Sequence, residues 1–405
     1  MANCTLKMNP VAVTGTGALS AAGGNVSDMM QTIYSGRRNP VISQLVRADH
    51  AEHYPMFELS PDWVPQNYYD GPESFRCGLL AQTAAHEALM QAQLESNVLE
   101  SRPVGVCIGT TVGNAMNNES FYREFLNKYF PGTDSIQAYL KSNPADMLAD
   151  LYHTHGPRQC IANACSSGAV AIGQAAEWIN SGFCDIVIAG GADMLCRVIY
   201  NGFVSLKVTD IQPCRPFDKD RNGLNLGEGA GIIILESLKS AQSRNVPVIA
   251  TLCGYGNRCD AYHISAPDPN GTGLELAIND ALLQANISPN EIGFINAHGT
   301  ATLENDKYEG MLFSRMFPHT LFHSTKGYTG HTLGAAGAIE AVITIMTLEN
   351  QMLASSVGFK TPDPDFQVNP VQQNMPLNEI YGLSNSVAFG GNNSALIFKR
   401  EQEIV

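Results

Sequence analysis

The chain has 405 residues, of which 44% are hydrophobic and only 15% are charged, with 37 glycines and a formal net charge of -14 at pH 7. This composition is typical of a large compact α/β enzyme rather than a disordered or fibrous protein, and the length allows two domains or two fused halves. The negative charge argues against nucleic-acid binding, which needs a basic surface.

Targeting signals and membrane segments are not apparent in the sequence. Residues 1–15 contain no long apolar segment, so we expect no signal peptide. The longest apolar helix candidate, 333–348, is interrupted by Glu340, so we expect no membrane span. The ten cysteines are scattered without a CxxC pair. We therefore expect a cytoplasmic protein with reduced thiols.

The first predicted strand is 11–15, and glycines follow it. They suggest a dinucleotide-binding loop, but Ser20 stands where the third glycine is required, and no strand ending in Asp or Glu follows at the required distance. We interpret these glycines as a tight turn between a strand and a helix. Residues 39–73 lack periodicity. The remaining elements of the first half are a helix at 74–94, buried strands at 104–111, 185–193 and 229–237, and a pocket-forming insertion with short helices at 113–155.

The second half repeats the first. Similar stretches occur in the same order at 248–256, 292–300, 330–343, 381–391 and 394–400, and the third of them echoes the turn and helix at 161–179. Five elements in one order predict two fused halves, 1–245 and 246–405, related by a pseudo-two-fold axis. Two equivalent helix starts would then face one another across a shared site.

Cys165 is the candidate nucleophile. Small residues surround it at 162–169, and a helical pattern follows. At a turn that opens a helix, free backbone N–H groups and the helix dipole would favour the thiolate over the thiol. A lone cysteine is more often a buried small hydrophobic residue, so this assignment depends on partners elsewhere in the chain.

Three stretches of the second half supply candidate partners. They are His298 in 296–302, Lys326, His331 and Glu340 in 324–340, and Phe389 in 385–393. Each has a plain structural explanation by itself: a histidine after a strand, an ordinary Lys–Glu ion pair and a glycine-rich turn. Together they converge on the two equivalent helix starts, which favours a catalytic site.

The motifs around these residues are specific. They are ACSSG at 164–168, NAHGTAT at 296–302, TKGYTGHTLGAAGAIE at 325–340, NSVAFGGNN at 385–393 and CRPFDKDRNGLNLGEGAG at 214–231. From Val11 to Lys399 the chain resembles the elongating β-ketoacyl-acyl-carrier-protein synthases, of the KAS I and KAS II type. The resemblance implies an α/β thiolase-like fold with two halves packed in α-β-α-β-α layers. Thiolases use a second cysteine and initiating synthases pair histidine with asparagine, so both are disfavoured.

The resemblance also implies an activity, the decarboxylative Claisen condensation of fatty acid, polyketide or polyene synthesis. Cys165 would take an acyl group from the phosphopantetheine of acyl carrier protein, in an oxyanion hole made by the N–H groups of Cys165 and Phe389. His298 and His331 would stabilise the enolate that forms when malonyl-carrier protein loses carbon dioxide. The reaction needs neither a metal nor a redox cofactor.

Other positions match the family by resemblance alone. Lys326 would organise the site, with Glu340 and Asp306 as partners. Four residues match substrate contacts, with the pantetheine at Thr300 and Thr302 and with the acyl chain at Val112 and Phe203. Four residues match the ligands of a structural monovalent cation in some relatives: Asn296, Glu309, Asn385 and Ser386. Glu309 could equally be a buried carboxylate with hydrogen-bond partners.

Departures from the family bear on the partners, which the resemblance gives as acyl carrier protein and a homodimer or a heterodimer with a chain-length-factor-like subunit. The gate loop reads VAFGG instead of FGFGG. The basic segment before the helix near residue 74 is reduced to Arg76. Three other residues are then the predicted carrier contacts: Lys207, Arg123 and Lys128.

Two alternatives stay open. A non-catalytic chain-length factor would lack Cys165, which is present here. A thioester hydrolase or acyltransferase on the same scaffold would release no carbon dioxide from a malonyl thioester.

Overall fold

A computed structural model describes residues 8–43, 46, 52–63, 75–114, 119–140 and 142–401. The strands in this part of the chain are β1 Val11–Ser20, β2 Val104–Gly109, β3 Arg158–Ile161, β4 Ile186–Asp193, β5 Gly229–Ser237, β6 Ala250–Cys259, β7 Ile292–Asn296, β8 Leu321–His323, β9 Met352–Leu353, β10 Met375–Pro376, β11 Tyr381–Ala388 and β12 Asn392–Arg400.

The α-helices of the first half are α1 Val26–Tyr34, α2 Arg76–Gln91, α3 Ser96–Ser101, α4 Glu119–Leu126, α5 Asp134–Leu140, α6 Pro144–Leu151, α7 Ser167–Asn180, α8 Arg197–Ser205 and α9 Leu238–Arg244. Those of the second half are α10 Thr272–Ala285, α11 Leu303–Met316, α12 Lys326–Thr329 and α13 Ala336–Asn350. Short 3₁₀ turns occur at Pro61–Trp63, Pro289–Glu291 and Leu333–Ala335.

The strand order shows the internal repeat directly. Ten strands form one sheet in the order β3-β2-β4-β5-β1-β6-β12-β11-β7-β8. Read outward from the centre, β1, β5, β4, β2 and β3 correspond to β6, β12, β11, β7 and β8. The two sets join where β1 pairs with β6 over three residue pairs, Val11–Val13 against Ala250–Leu252. The predicted boundary at 245/246 lies between α9 and β6.

Two central helices separate the halves of the sheet. The helices α7 and α13 pack against each other, and each contacts strands of both halves. On the outer faces α2 packs on β1 and β5, and α10 packs on β6 and β12. The result is the predicted α-β-α-β-α arrangement, in which the starts of α7 and α13 meet near the middle of the molecule.

The helix α13 is apolar because both sides of it are buried. The stretch Leu333–Asn350 is long and apolar enough to cross a membrane by length and composition, and 83% of it is buried inside the protein. Packing between the two halves therefore accounts for its apolar residues, and the charge of Glu340 is matched by Lys326.

The predicted turn after residue 15 is wrong, because Gly15 and Gly17 lie inside β1. A Cβ at Gly15 would lie 2.1 Å from the carbonyl oxygen of Ala88, and a Cβ at Gly17 would lie 2.0 Å from that of Ala84. The glycines thus let the strand lie directly against α2. The turn to α1 falls at 21–25.

The predicted insertion contains three short helices, α4, α5 and α6. The amide oxygen of Asn143 caps α6 by accepting the N–H of Asp146 at 2.9 Å. Residues 115–118 and 141 lie outside the described residues, as does Ser74 at the start of the predicted helix 74–94.

Candidate active site

Cys165 lies in the turn that leads into α7, as the local sequence predicts. The preceding residue, Ala164, has a left-handed backbone with φ 48°. The hydroxyl of Ser167 stabilises this turn, accepting the N–H of Asn163 at 2.7 Å and donating to the carbonyl of Ala164 at 2.6 Å. Cys165 is 6% exposed.

The predicted bias of Cys165 toward the thiolate is wrong for the free protein. Burial raises the pKa of the Cys165 thiol to about 11, although the Lys326 charge and the N–H groups of Phe389 and Cys165 itself act in the opposite direction. Desolvation of the anion outweighs the helix start. The N–H groups of Cys165 and Phe389 nevertheless both face the sulfur, so they lie beside the place where an acyl group on Cys165 would carry its carbonyl oxygen.

A cavity of about 310 Å³, open at its mouth, contains most of the predicted site residues. Its walls include Cys165, His298, His331, Phe389, Phe203, Thr300, Thr302 and Lys207. The hydroxyls of Thr300 and Thr302 are 2.8 Å apart. Among the described residues Val112 does not line this cavity; it is partly buried against the apolar cluster beneath α2.

Lys326 fixes the orientation of His298. An ammonium group has three N–H bonds, and the Lys326 ammonium faces three acceptors: Nδ1 of His298 at 3.1 Å, the His298 carbonyl at 2.6 Å and the carboxylate of Glu340. Because Nδ1 of His298 accepts, its proton is on Nε2, and this N–H can donate into the cavity. Burial, together with the Lys326 charge, lowers the pKa of His298 well below its usual range.

A backbone group fixes His331 in the same way. The N–H of Leu333 donates to Nδ1 of His331 at 3.1 Å, so Nε2 carries the proton. Burial and the Lys326 charge lower the pKa of His331 well below its usual range. The two imidazole rings lie 5.3 Å apart at nearly right angles. The site therefore presents two neutral N–H donors to one cavity.

Asp306 and Glu309 hold the loop that carries His298 and Thr300. The predicted contact between Asp306 and Lys326 is wrong: among the described residues the Asp306 carboxylate accepts the N–H of Ala301 at 3.1 Å and of Phe217 at 2.6 Å. The Glu309 carboxylate accepts the N–H groups of His298 at 3.0 Å and of Gly299 at 2.8 Å. Burial, with the nearby Asp306, raises the pKa of Glu309 to about 7.

The four predicted cation ligands offer oxygen atoms. Three of their buried oxygens lack a hydrogen-bond partner within the described part of the chain: Oδ1 of Asn296, Oδ1 of Asn385 and Oγ of Ser386. The amide nitrogen of Asn385 donates to Glu309 at 2.7 Å, which brings the carboxylate to the same place. Neutral oxygens beside one carboxylate suit a hard cation of low charge.

The gate residue Phe389 closes one side of the cavity. Its ring stacks on Phe203 with centroids 5.7 Å apart, and Phe203 meets His331 edge-on at 6.4 Å. The N–H of Gly390 donates to the carbonyl of Ile264 at 2.7 Å, which ties the gate loop to the segment after β6.

Arg76 does not offer a free positive charge for docking. Its guanidinium donates to both carboxylate oxygens of the buried Glu228, at 2.8 Å and 2.5 Å. This ion pair also raises the pKa of Arg76 against the effect of burial. Lys207 is exposed at the mouth of the cavity, where a charged partner can reach it.

Asp193, the last residue of β4, was not among the residues predicted from the sequence. Asp193 is fully buried, and its carboxylate accepts the N–H of Thr111 at 2.7 Å and of Gly334 at 2.8 Å. Burial raises its pKa. The sequence did carry a signal, because Asp193 is an acidic residue at the end of an otherwise apolar strand. The equivalent strand of the second half, β11, ends beside the gate residue Phe389.

These features define the class of protein. A buried cysteine at a helix start, with paired amides and two neutral histidines on one cavity, is the site of a thiol-dependent acyltransferase with a thiolase-like fold. The family model described as Beta-ketoacyl synthase, N-terminal domain, matches residues 76–241, and Beta-ketoacyl synthase, C-terminal domain, matches 249–360. The chain therefore belongs to the β-ketoacyl synthase family and is a condensing enzyme of fatty acid or polyketide synthesis.

Curated relatives match over the whole length. The 3-oxoacyl-[acyl-carrier-protein] synthase 2 of Synechocystis sp. is 34% identical, with 99% of this chain and 100% of the relative aligned. The protein of the same name from Staphylococcus aureus (strain COL) is 32% identical over 96% of this chain and 98% of its own.

Solved structures give the same fold. A chain of the ishigamide ketosynthase/chain length factor matches with a TM-score of 0.89 and 28% identity, over 98% of this chain and 100% of that one. A chain of the ketosynthase ApeO in complex with its chain length factor ApeC, from Xenorhabdus doucetiae, matches at 0.81 and 30%, over 99% and 100%.

Proposed function

We propose that Cys165 carries the growing acyl chain and that the two histidines serve the malonyl unit, with malonyl-acyl carrier protein as the extender. The single observation that carries this proposal is the pair of neutral N–H donors, His298 and His331, on the same cavity as Cys165. A hydrolase site would need a base that takes a proton from water. In both histidines Nδ1 already accepts a hydrogen bond and Nε2 carries the proton, so neither ring is free to act as that base.

The first step is acyl transfer. The Cys165 sulfur attacks the thioester carbonyl of the acyl-carrier protein, a carbon–sulfur bond to Cys165 forms, and the bond to the pantetheine sulfur breaks. The oxyanion lies against the N–H groups of Cys165 and Phe389. The thiol proton leaves with the pantetheine thiolate, so no net charge remains in the buried site.

The second step uses malonyl-carrier protein. Its carbon–carboxylate bond breaks, carbon dioxide leaves, and the electron pair forms an enolate whose oxygen accepts the Nε2–H groups of His298 and His331. The enolate carbon then attacks the acyl-Cys165 carbonyl. The product is a β-ketoacyl thioester, and the Cys165 thiolate that leaves takes a proton from the medium.

Lys326 acts through His298 and not on the substrate. Its three hydrogens are all engaged, so it orients the ring and helps keep it neutral. A monovalent cation held by Asn296, Glu309, Asn385 and Ser386 would reinforce this part of the site, and no chemical step passes through it. The carbon–carbon bond formation itself needs no cofactor, because carbon dioxide loss drives it.

Two kinds of partner belong to the proposal. Thr300 and Thr302 would contact the pantetheine of an acyl carrier protein, and Lys207 at the mouth would attract its acidic surface. The structural relatives include a chain of AntDE:AntF, described as a type II PKS acyl-carrier protein in complex with its ketosynthase, at a TM-score of 0.88 and 26% identity. We further propose a heterodimer with a chain-length-factor-like subunit, in view of the ketosynthase/chain length factor relatives.

The molecule offers an edge for such a subunit. The strand β3 lies at the end of the sheet with one side unpaired among the described strands. The insertion, whose α6 packs on β3, carries exposed apolar side chains on α4, among them Tyr122, Phe125 and Leu126 at 56%, 56% and 79% exposure. None of the nine cysteines in the described residues forms a disulfide, which supports a reducing, cytoplasmic location.

The test is Cys165→Ala, measured by intact mass and by condensation. The wild-type protein should gain the mass of the acyl group after incubation with acyl-carrier protein, and the variant should gain none and form no β-ketoacyl product. Cys184→Ala, which removes a buried thiol elsewhere, is the matched control and should still load and condense. Condensation by Cys165→Ala would exclude the proposal.

A further inference from the structure

The two helix starts of the molecule have the same backbone. Cys165 and Gly334 each follow a residue with a left-handed conformation, Ala164 at φ 48° and Leu333 at φ 56°. Each stands two residues before its helix, α7 from Ser167 and α13 from Ala336. Gly334 is thus the pseudo-two-fold equivalent of the nucleophile, and its N–H is the equivalent of an oxyanion-hole donor.

In the second half this amide is occupied by a side chain of the protein. One carboxylate oxygen of Asp193, Oδ2, accepts the N–H of Gly334 at 2.8 Å and the N–H of Thr111 at 2.7 Å. The other oxygen accepts the hydroxyl of Thr110 at 3.1 Å. Two convergent amides holding one oxygen have the form of an oxyanion hole, and Asp193 fills it permanently.

The close approach requires a glycine. A Cβ at Gly334 would lie 2.6 Å from the backbone carbon of Thr110, so the turn of the second half is pressed against the turn that follows β2. Asp193 lies between the two turns with no exposed surface. Its carboxylate therefore links a turn of the first half to the start of α13.

The contact between Asp193 and Gly334 is one residue away from the contact that holds His331. Leu333 precedes Gly334, and its own N–H is the donor to Nδ1 of His331 at 3.1 Å. A left-handed conformation is unfavourable for leucine and persists only where the surroundings hold it. The Asp193 contact to Gly334 and the burial of the Leu333 side chain, which is 1% exposed, provide that hold.

We propose that Asp193 is a positioning residue for His331: its carboxylate holds the Leu333–Gly334 turn, so that the Leu333 N–H fixes Nδ1 of His331 as an acceptor and leaves Nε2–H as the donor to the enolate. The inference rests on the role of His331 given above. It adds that the second helix start, which has no nucleophile, serves catalysis by orienting the histidine beside it.

The charge of Asp193 acts on the other helix start as well. Together with burial, it raises the pKa of the Cys165 thiol. A neutral residue at 193 should therefore ease the formation of the Cys165 thiolate and at the same time loosen the His331 turn. Carbon dioxide release should fall while acyl loading does not, a separation that a general loss of folding would not produce.

The deciding variant is Asp193→Asn, which keeps the shape and offers a weaker, uncharged acceptor to the two amides. Its carbon dioxide release from malonyl-carrier protein should fall about fivefold, because a bond to a charged acceptor is the stronger one, while acyl loading of Cys165 stays equal or becomes faster. Spectra of protein labelled with ¹⁵N-histidine, with the His331 signal assigned by its loss in His331→Ala, should show the tautomer of His331 becoming mixed.

Asp193→Ala should enlarge both effects, and Asp193→Asn decides alone if Asp193→Ala does not fold. Glu236→Gln is the matched control: Glu236 is a buried carboxylate on the neighbouring β5, bonded to Thr14 at 2.7 Å and Ser240 at 3.0 Å. It should change stability without separating the half-reactions or altering the His331 signal.

An unchanged His331 tautomer in Asp193→Asn, or equal losses in loading and carbon dioxide release, would overturn the inference. The proposed role of His331 is tested separately. If His331→Ala releases carbon dioxide normally, that role fails, while the tautomer measurement still reports whether Asp193 positions the ring.

Discussion

The starts of α7 and α13 are two copies of one backbone turn with different chemistry. The first carries a thiol, and its amides face the cavity at Cys165 and Phe389. The second carries Gly334 in place of the thiol, and its amide is bound by Asp193. The comparison teaches that the duplicated fold provides two turns with free helix-start amides, of which one opens on the cavity and the other is closed by Asp193.

The charge around the two turns is also divided. Lys326 lies on the His298 side and is surrounded by acceptors, and its charge acts on both histidines and on Cys165. The Glu340 carboxylate on α13 balances it, and burial raises the pKa of Glu340 to about 7. The histidines thus remain neutral donors beside a fully paired cation.

The largest expected effect comes from Lys326→Met, which removes the ammonium group that contacts His298 and Glu340 in the second half. Nδ1 of His298 loses its donor, and Glu340 is left buried without its partner. Carbon dioxide release should fall about a hundredfold or more, and the free energy of unfolding should fall by about 3–5 kcal/mol. Both are measured on one preparation, by a decarboxylation assay and by urea unfolding.

The double variant Lys326→Met/Glu340→Gln is its control. It removes the unpaired buried charge, so stability should largely return while carbon dioxide release stays low. A single variant that releases carbon dioxide at the wild-type rate would show that the His298 tautomer does not depend on Lys326.

A second prediction sharpens the comparison on the first half. Burial raises the pKa of the Cys165 thiol to about 11, and the thiolate is the form that reacts. The rate of alkylation by iodoacetamide, after subtraction of the rate for Cys165→Ala, should therefore rise about tenfold for each pH unit from about 7 to 10. A rate that levels off near pH 8 would mean that the helix start alone activates the sulfur.

The smallest expected effect concerns Val112, which follows the turn at Thr110 and Thr111 that Asp193 holds. Val112→Phe adds bulk at a position that the family resemblance assigns to the acyl chain, although Val112 does not line the cavity at Cys165 in the described structure. The ratio of long-chain to short-chain loading should fall by about fivefold, the size of a one-kilocalorie contact change. Val98→Phe, which packs against the same apolar cluster from α3, should leave the ratio unchanged. Equal ratios in the two variants would remove Val112 from the channel.

Patterns in the sequence were sufficient for the repeated elements and the turn at Cys165, because buried strands and small-residue helix starts follow local rules. They failed where packing between distant segments decides. Gly15 and Gly17 resemble a turn in the sequence, but in the structure they leave room for α2 to pack directly on β1. Arg76 looks like a free cation until Glu228, 152 residues away, is placed beside it.

The contacts of the site divide in the same way into those that the sequence predicts and those that it does not. Lys326 and Glu340 lie 14 residues apart in the sequence, and their pairing could be predicted from the family resemblance. Asp306 could not be placed, because two backbone N–H groups compete for it with the ammonium. Asp193 was missed because its partners include backbone amides from both halves, so an acidic residue at the end of a strand did not reveal what it binds.

The central claim is that the two helix starts divide the reaction, with acyl loading on the first and malonyl decarboxylation on the second. The most direct measurement follows both half-reactions in Cys165→Ala and His331→Ala. Cys165→Ala should form no acyl adduct and still release carbon dioxide from malonyl-carrier protein. His331→Ala should form the adduct and release carbon dioxide about a hundredfold more slowly. If each variant loses both half-reactions together, the division of roles is contradicted.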